Sequence, residues 1–167
     1  MSRIEILPNL CTAANLLLGV MAIAAVFQHH FELSVSLIII AAVLDRFDGI
    51  LARRYDAATA FGKEFDSLAD LVSFGVAPAF LLYGNMTDKW HPAGLACFAF
   101  FTLCGAFRLA RFNVTGGGSY FQGVPITIGG SILAVLVILL HNFPAFVIAA
   151  GIVASLAMVS TVRIPKI

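Results

Sequence analysis

Four aspartates, Asp45, Asp48, Asp66 and Asp70, stand close together in "LDRFDGILARRYDAATAFGKEFDSLAD", residues 44–70. On a helix each residue turns the chain by about 100°, which puts Asp48 about 60° and Gly49 about 40° to either side of Asp45, with Ala52 about 20° from the same line. Gly62, Asp66 and Asp70 follow at intervals of four, each step displaced by about 40°. Two helices joined by a short turn can face these surfaces toward each other as a four-carboxylate cup. Oxygen-only donors at close quarters suit hard divalent ions such as magnesium, manganese or calcium. A pair of such ions about 3.5 to 4 Å apart stabilises the attacking and leaving oxygens of phosphoryl transfer.

The residues sharing those faces narrow the ligand. Gly49, Ala52 and Gly62 leave room where helix packing would ordinarily place Leu or Val, although small residues in membrane helices also serve close packing. Arg53 follows one turn on, and its guanidinium suits phosphate oxygens. Together they favour a phosphate-bearing ligand lying against the helix.

The elements that must carry the cup lie in lipid. Of 167 residues, 60% are hydrophobic and only 11% charged, with a mean hydropathy of +0.98, whereas soluble domains are roughly 45 to 50% apolar and about 25% charged. The chain reads as an all-α membrane protein in one domain, residues 1–167. On a ruler of about 20 apolar residues per crossing, six spans are expected at 9–28, 31–53, 61–83, 92–112, 124–141 and 144–161. The first is read as a membrane helix rather than a signal peptide, because its apolar run is long and Arg3 is accompanied by Glu5. A formal net charge of +1 gives no reason to expect a nucleic-acid partner. Cys11, Cys97 and Cys104 lie in apolar stretches without metal-ligand spacing and read as packing.

With the N-terminus inside, Arg3, Arg53, Arg54, Lys63, Arg108, Arg111, Arg163 and Lys166 fall at the cytoplasmic end and Lys89 falls outside. The expectation is an integral protein of the cell membrane with both termini and the cup toward the cytoplasm. His29, His30, His91 and His141 fall in the opposite joints.

The run Asp45, Asp48, Gly49, Ala52, Arg53, then Gly62, Asp66 and Asp70, resembles the signature of the CDP-alcohol phosphatidyltransferases at every position. The resemblance implies six membrane helices, a homodimer, and transfer of a phosphatidyl-type group from a CDP-activated lipid to an alcohol with release of CMP. It also implies two divalent ions, Mg2+ or Mn2+, held by Asp45, Asp48, Asp66 and Asp70, with Asp70 as general base. Gly49, Ala52, Arg53 and Gly62 would line the CDP-lipid site. The flanking strings "LPNLCTAANLLLGVMAI", "DSLADLVSFGVAPA", "CGAFRLARFNV", "QGVPIT" and "AMVSTVRIPKI" resemble the small integral-membrane branch whose donor is CDP-diacylglycerol, or an archaeal ether-lipid equivalent, and whose acceptor is L-serine.

An acceptor of that kind brings a carboxylate to membrane depth, and Arg108 or Arg111, followed by Asn113, would receive it. Both arginines also read as positive anchors at a helix end. Ser73, Gly75 and Pro78 are further pocket candidates, with Pro78 equally a kink; Asn15 is a weaker one. Gly116 to Gly118 permit a mobile segment over the cup. Two alternatives stand beside this reading: the same chemistry on glycerol phosphate or inositol phosphate, and a carboxylate-dependent transporter.

Overall fold

The structure, a computed structural model, describes the backbone of residues 3–54, 59–115, 120–161 and 163–165, and the side chains of all of these except 3–8, 48, 51–54, 120–122 and 163–165. Hydrophobic runs interrupted by short polar joints fold into helical rods. These are α1 (Arg3–Phe27), α2 (Phe31–Arg54), a third rod made of α3 (Ala60–Asp70), a π-helical turn (Leu71–Val76) and α4 (Ala77–Gly84), then α5 (His91–Thr115), α6 (Ile126–Leu139) and α7 (Pro144–Val159). Asn9–Phe27, Ala60–Gly84 and His91–Thr115 are long and apolar enough to cross a membrane, and α6 and α7 are shorter apolar helices. In α2, which has 24 residues, the charges Asp45, Arg46, Asp48, Arg53 and Arg54 gather toward the C-terminal end. The helical membrane class expected from composition is the one observed.

Two details differ from the expected spans. A three-residue antiparallel ladder joins β1 (Tyr120–Gln122) to β2 (Arg163–Pro165), with Phe121 opposite Ile164. The irregularity of the third rod precedes Pro78 and is a π turn, marked by the bond from the Ala77 N–H to the Val72 carbonyl five residues back. Pro78 sits in the first turn of α4, where its missing N–H costs little.

Local chemistry sets the ends of the rods. His29 adopts φ 58°, and the bonds His29 N to Val26 O and His30 N to Ala25 O, both 2.9 Å, close α1 in a Schellman motif. Thr59 caps α3, its Oγ1 accepting from Gly62 N at 3.0 Å. The last carbonyls of α7 are taken up by the guanidinium of Arg111, which donates to Val159 O at 2.9 Å, Ser160 O at 3.1 Å and Met158 O at 3.5 Å.

The core lies around the π turn, where Phe74, Leu81, Leu82, Phe101, Ile126, Leu133 and Met158 are fully buried. Neighbouring backbones approach the turn closely. A Cβ on Gly19 of α1 would stand 2.8 Å from Ser73 Cα, and one on Gly130 of α6 would stand 2.9 Å from Phe74 Cα. Outside the bundle, Leu17, Val20 and Met21 of α1, Leu139 of α6 and Val153 of α7 are exposed, as expected of side chains that face acyl chains instead of water.

Candidate metal and acceptor site

Asp45 comes from the C-terminal half of α2, and Asp66 and Asp70 from successive turns of α3. One carboxylate oxygen from each lies within 4.8 Å of those of the other two. Asp70 is 8% exposed, and Asp45 and Asp66 are half-buried. Three carboxylates at this separation in a poorly hydrated site repel one another strongly unless cation charge is present. The donor set is all oxygen, partly buried and drawn from two rigid helices, so it fits a hard divalent cation. The fourth expected ligand, Asp48, has its side chain outside the described residues, as do Ala52 and Arg53.

Two polar neighbours hold the triad from other helices. Thr127 Oγ1, in the first turn of α6, donates to Asp45 Oδ2 at 3.3 Å. Asn15 Nδ2, on α1, donates to Asp70 Oδ1 at 3.4 Å. Sequence reasoning missed Thr127, whose only signal was its place in the "QGVPIT" string, and it gave Asn15 little weight although an amide inside an apolar span is itself a signal.

The expected ligand-lining glycines differ in their surroundings. A Cβ on Gly49 would meet no described atom within 4 Å, whereas one on Gly62 would stand 3.1 Å from both Asn9 Oδ1 and Thr59 Oγ1. Gly62 is therefore packed against α1 and engaged in the cap, whereas the Cβ position of Gly49 is open among the described residues. Beside Gly62, Nδ2 of Asn9 is buried without a hydrogen-bond partner among the described residues.

The arginines of α5 part company in the same way. Arg108 is 7% exposed, its Nε has no hydrogen-bond partner among the described residues, and its guanidinium lies 5.7 Å from the Phe112 ring centre. It is within electrostatic reach of Asp70. Arg111 instead caps α7, as described above. Asn113 ties α5 to α3: its Nδ2 donates to Glu64 Oε2 and Ser67 Oγ, both at 3.0 Å, and its carbonyl accepts from Lys63 Nζ at 3.0 Å. Among the other expected pocket residues, Ser73 Oγ donates to the Asn15 carbonyl at 2.9 Å, and Gly75 and Pro78 are buried. Gly116 to Gly118 lie outside the described residues.

A carboxylate triad drawn from α2 and α3, with a buried arginine within electrostatic reach of Asp70, is an oxygen donor set that could hold a metal ion in a helical membrane protein. The chain belongs to the CDP-alcohol phosphatidyltransferase family, which it matches over residues 5–162. It is similar to CDP-diacylglycerol–serine O-phosphatidyltransferases from several organisms. With the Helicobacter pylori (strain ATCC 700392 / 26695) protein it shares 36% identity over 174 residues, covering 95% of this chain and 71% of the relative. The Bacillus subtilis (strain 168) protein is 35% identical, with 95% and 89% covered. The Methanocaldococcus jannaschii protein is 37% identical, with 98% and 76% covered.

Proposed function

We propose that this protein transfers a phosphatidyl group from CDP-diacylglycerol, or an ether-lipid equivalent, to the hydroxyl of L-serine, releasing CMP and forming phosphatidylserine. The observation that carries the reading is the buried Arg108, within electrostatic reach of Asp70 of the aspartate triad, in a chain whose relatives of 35 to 37% identity are named for serine as acceptor. Family membership removes the reason to favour a transporter.

Asp45, Asp48, Asp66 and Asp70 would hold two divalent ions, Mg2+ or Mn2+. When bound, these supply positive charge to the diphosphate and to the departing CMP oxygen. The fork of Arg108 receives the serine carboxylate and turns the hydroxyl toward Asp70. Asp70 takes the hydroxyl proton as the oxygen attacks the lipid-side phosphorus. The bond from that phosphorus to the bridging oxygen breaks, and the pair of electrons leaves with CMP. Gly49 and Ala52 leave room for the CDP moiety, Gly62 sets the backbone approach at the start of α3, and Arg53 pairs with phosphate. Arg111 and Asn113 act at a distance, by fixing the end of α5 against α7 and α3.

In this reading the cup opens to the cytoplasm with both termini on that side, and the protein works as a homodimer in the cell membrane. The positive-inside distribution of Lys and Arg supports the orientation. The test is CMP release by purified protein in detergent with CDP-diacylglycerol and Mn2+ or Mg2+, comparing serine, glycerol 3-phosphate and inositol phosphate. Release that depends on serine is expected. Release only with another alcohol would overturn the acceptor assignment and keep the aspartate chemistry.

A further inference from the structure

Asn15 lies within the apolar run of α1 and is fully buried. Its Nδ2 donates to Asp70 Oδ1 at 3.4 Å and its carbonyl accepts from Ser73 Oγ at 2.9 Å. Ser73 is also fully buried and belongs to the π turn that begins one residue after Asp70. One turn along α1, the missing side chain of Gly19 lets the two backbones close, since a Cβ there would stand 2.8 Å from Ser73 Cα. Asn15 is thus fixed at its backbone by the turn that follows Asp70 and reaches Asp70 itself with its side chain.

The carboxamide Oδ1 is buried with no hydrogen-bond partner among the described residues, an arrangement a purely structural residue would avoid, because an apolar side chain of the same shape leaves no buried acceptor unsatisfied. Only the nitrogen end of an amide can donate to a carboxylate, so proximity to Asp70 determines which end faces it. A π turn beside a functional group is a recurrent way to re-aim the residues around it.

We propose that Asn15 is a positioning residue for Asp70: its N–H, anchored through the Ser73 contact, sets the plane of the Asp70 carboxylate within the triad. The inference rests on the reading of Asp70 as metal ligand and base. Partners that orient a metal ligand typically change metal affinity or activity by about 10- to 100-fold when removed.

The test is a Mn2+ titration of the detergent-solubilised full chain, followed by electron paramagnetic resonance, with steady-state CMP release alongside. Asn15→Leu, which keeps the branched shape and removes the amide, is expected to weaken Mn2+ binding by about 10- to 100-fold and to lower kcat, with KM for serine and for CDP-lipid within about twofold and no large fall in the thermal midpoint. Asn15→Ala serves as the second variant, and Ser73→Ala, which leaves the carboxamide in place, is expected to have the smaller effect. Mn2+ affinity and kcat equal to wild type in both Asn15 variants would overturn the proposal, as would losses that follow a fall in thermal midpoint. The titration needs no acceptor, so an error in the serine assignment leaves it intact. Wild-type protein that binds no Mn2+ would overturn the metal reading and this inference together.

Discussion

Gly130 of α6 lies against the carbonyl of Phe74, with no space between the two backbones for a side chain: a Cβ at position 130 would stand 2.9 Å from both Cα and C of Phe74. The contact pins the π turn from α6 as Gly19 does from α1, and the turn follows directly on Asp70. Gly130→Ala is therefore expected to displace rigid backbone and destabilise the protein by about 1 to 3 kcal/mol or more, the range of overpacking in a dense interior. Thermal unfolding in detergent reads this directly. Gly49→Ala, placed where no described atom lies within 4 Å, is the contrast: an unchanged midpoint with a raised KM for CDP-lipid is expected, and an unchanged KM would remove Gly49 from the donor site.

Removal of the base is the sharpest test of the chemistry. Asp70→Asn keeps the volume and a hydrogen-bonding side chain but cannot accept the hydroxyl proton, so CMP release is expected to fall by at least about 10²- to 10⁴-fold. CDP-lipid binding should persist. Retained turnover would displace Asp70 from that role.

The two arginines of α5 are expected to separate kinetically. Loss of a charge-assisted hydrogen bond costs roughly 1.5 to 3 kcal/mol, so Arg108→Ala should raise KM for serine by about tenfold or more, with Arg108→Lys restoring part of it. Arg111→Ala should leave that KM within about twofold and instead lower the thermal midpoint, because the carbonyls of Met158, Val159 and Ser160 lose their donor. Equal effects of both on serine affinity would refute the division.

Chelation should abolish CMP release, and Mn2+ or Mg2+ should restore it. Asp45→Asn and Asp66→Asn should each shift the metal dependence to higher concentration, since each removes one anionic oxygen donor from a set lying within 4.8 Å. Activity that survives exhaustive chelation would exclude the metal reading.

Much of this protein was legible without coordinates because the relevant signals are local or compositional. Apolar run lengths marked the rods to within a few residues, and the four-residue steps from Gly62 to Asp66 and Asp70 placed those carboxylates on one helix face. Gly49 and Gly62 look alike in sequence, yet a Cβ on the first would meet no described atom within 4 Å and one on the second would press against Asn9 and Thr59. Arg108 and Arg111 likewise stand in one string, and only the position of the α7 terminus separates a buried, incompletely satisfied guanidinium from a helix cap. Neither Asn15 nor Thr127 is near the aspartate motif in the chain; each reaches an aspartate only because α1 and α6 pack beside α2 and α3. The sequence by itself determined the membrane class, the carboxylate face and the family, since backbone periodicity and solvent preference act over neighbouring residues. The tertiary structure decided which polar groups support the site and which hold the bundle, because that depends on which helices approach closely enough to exchange a hydrogen bond.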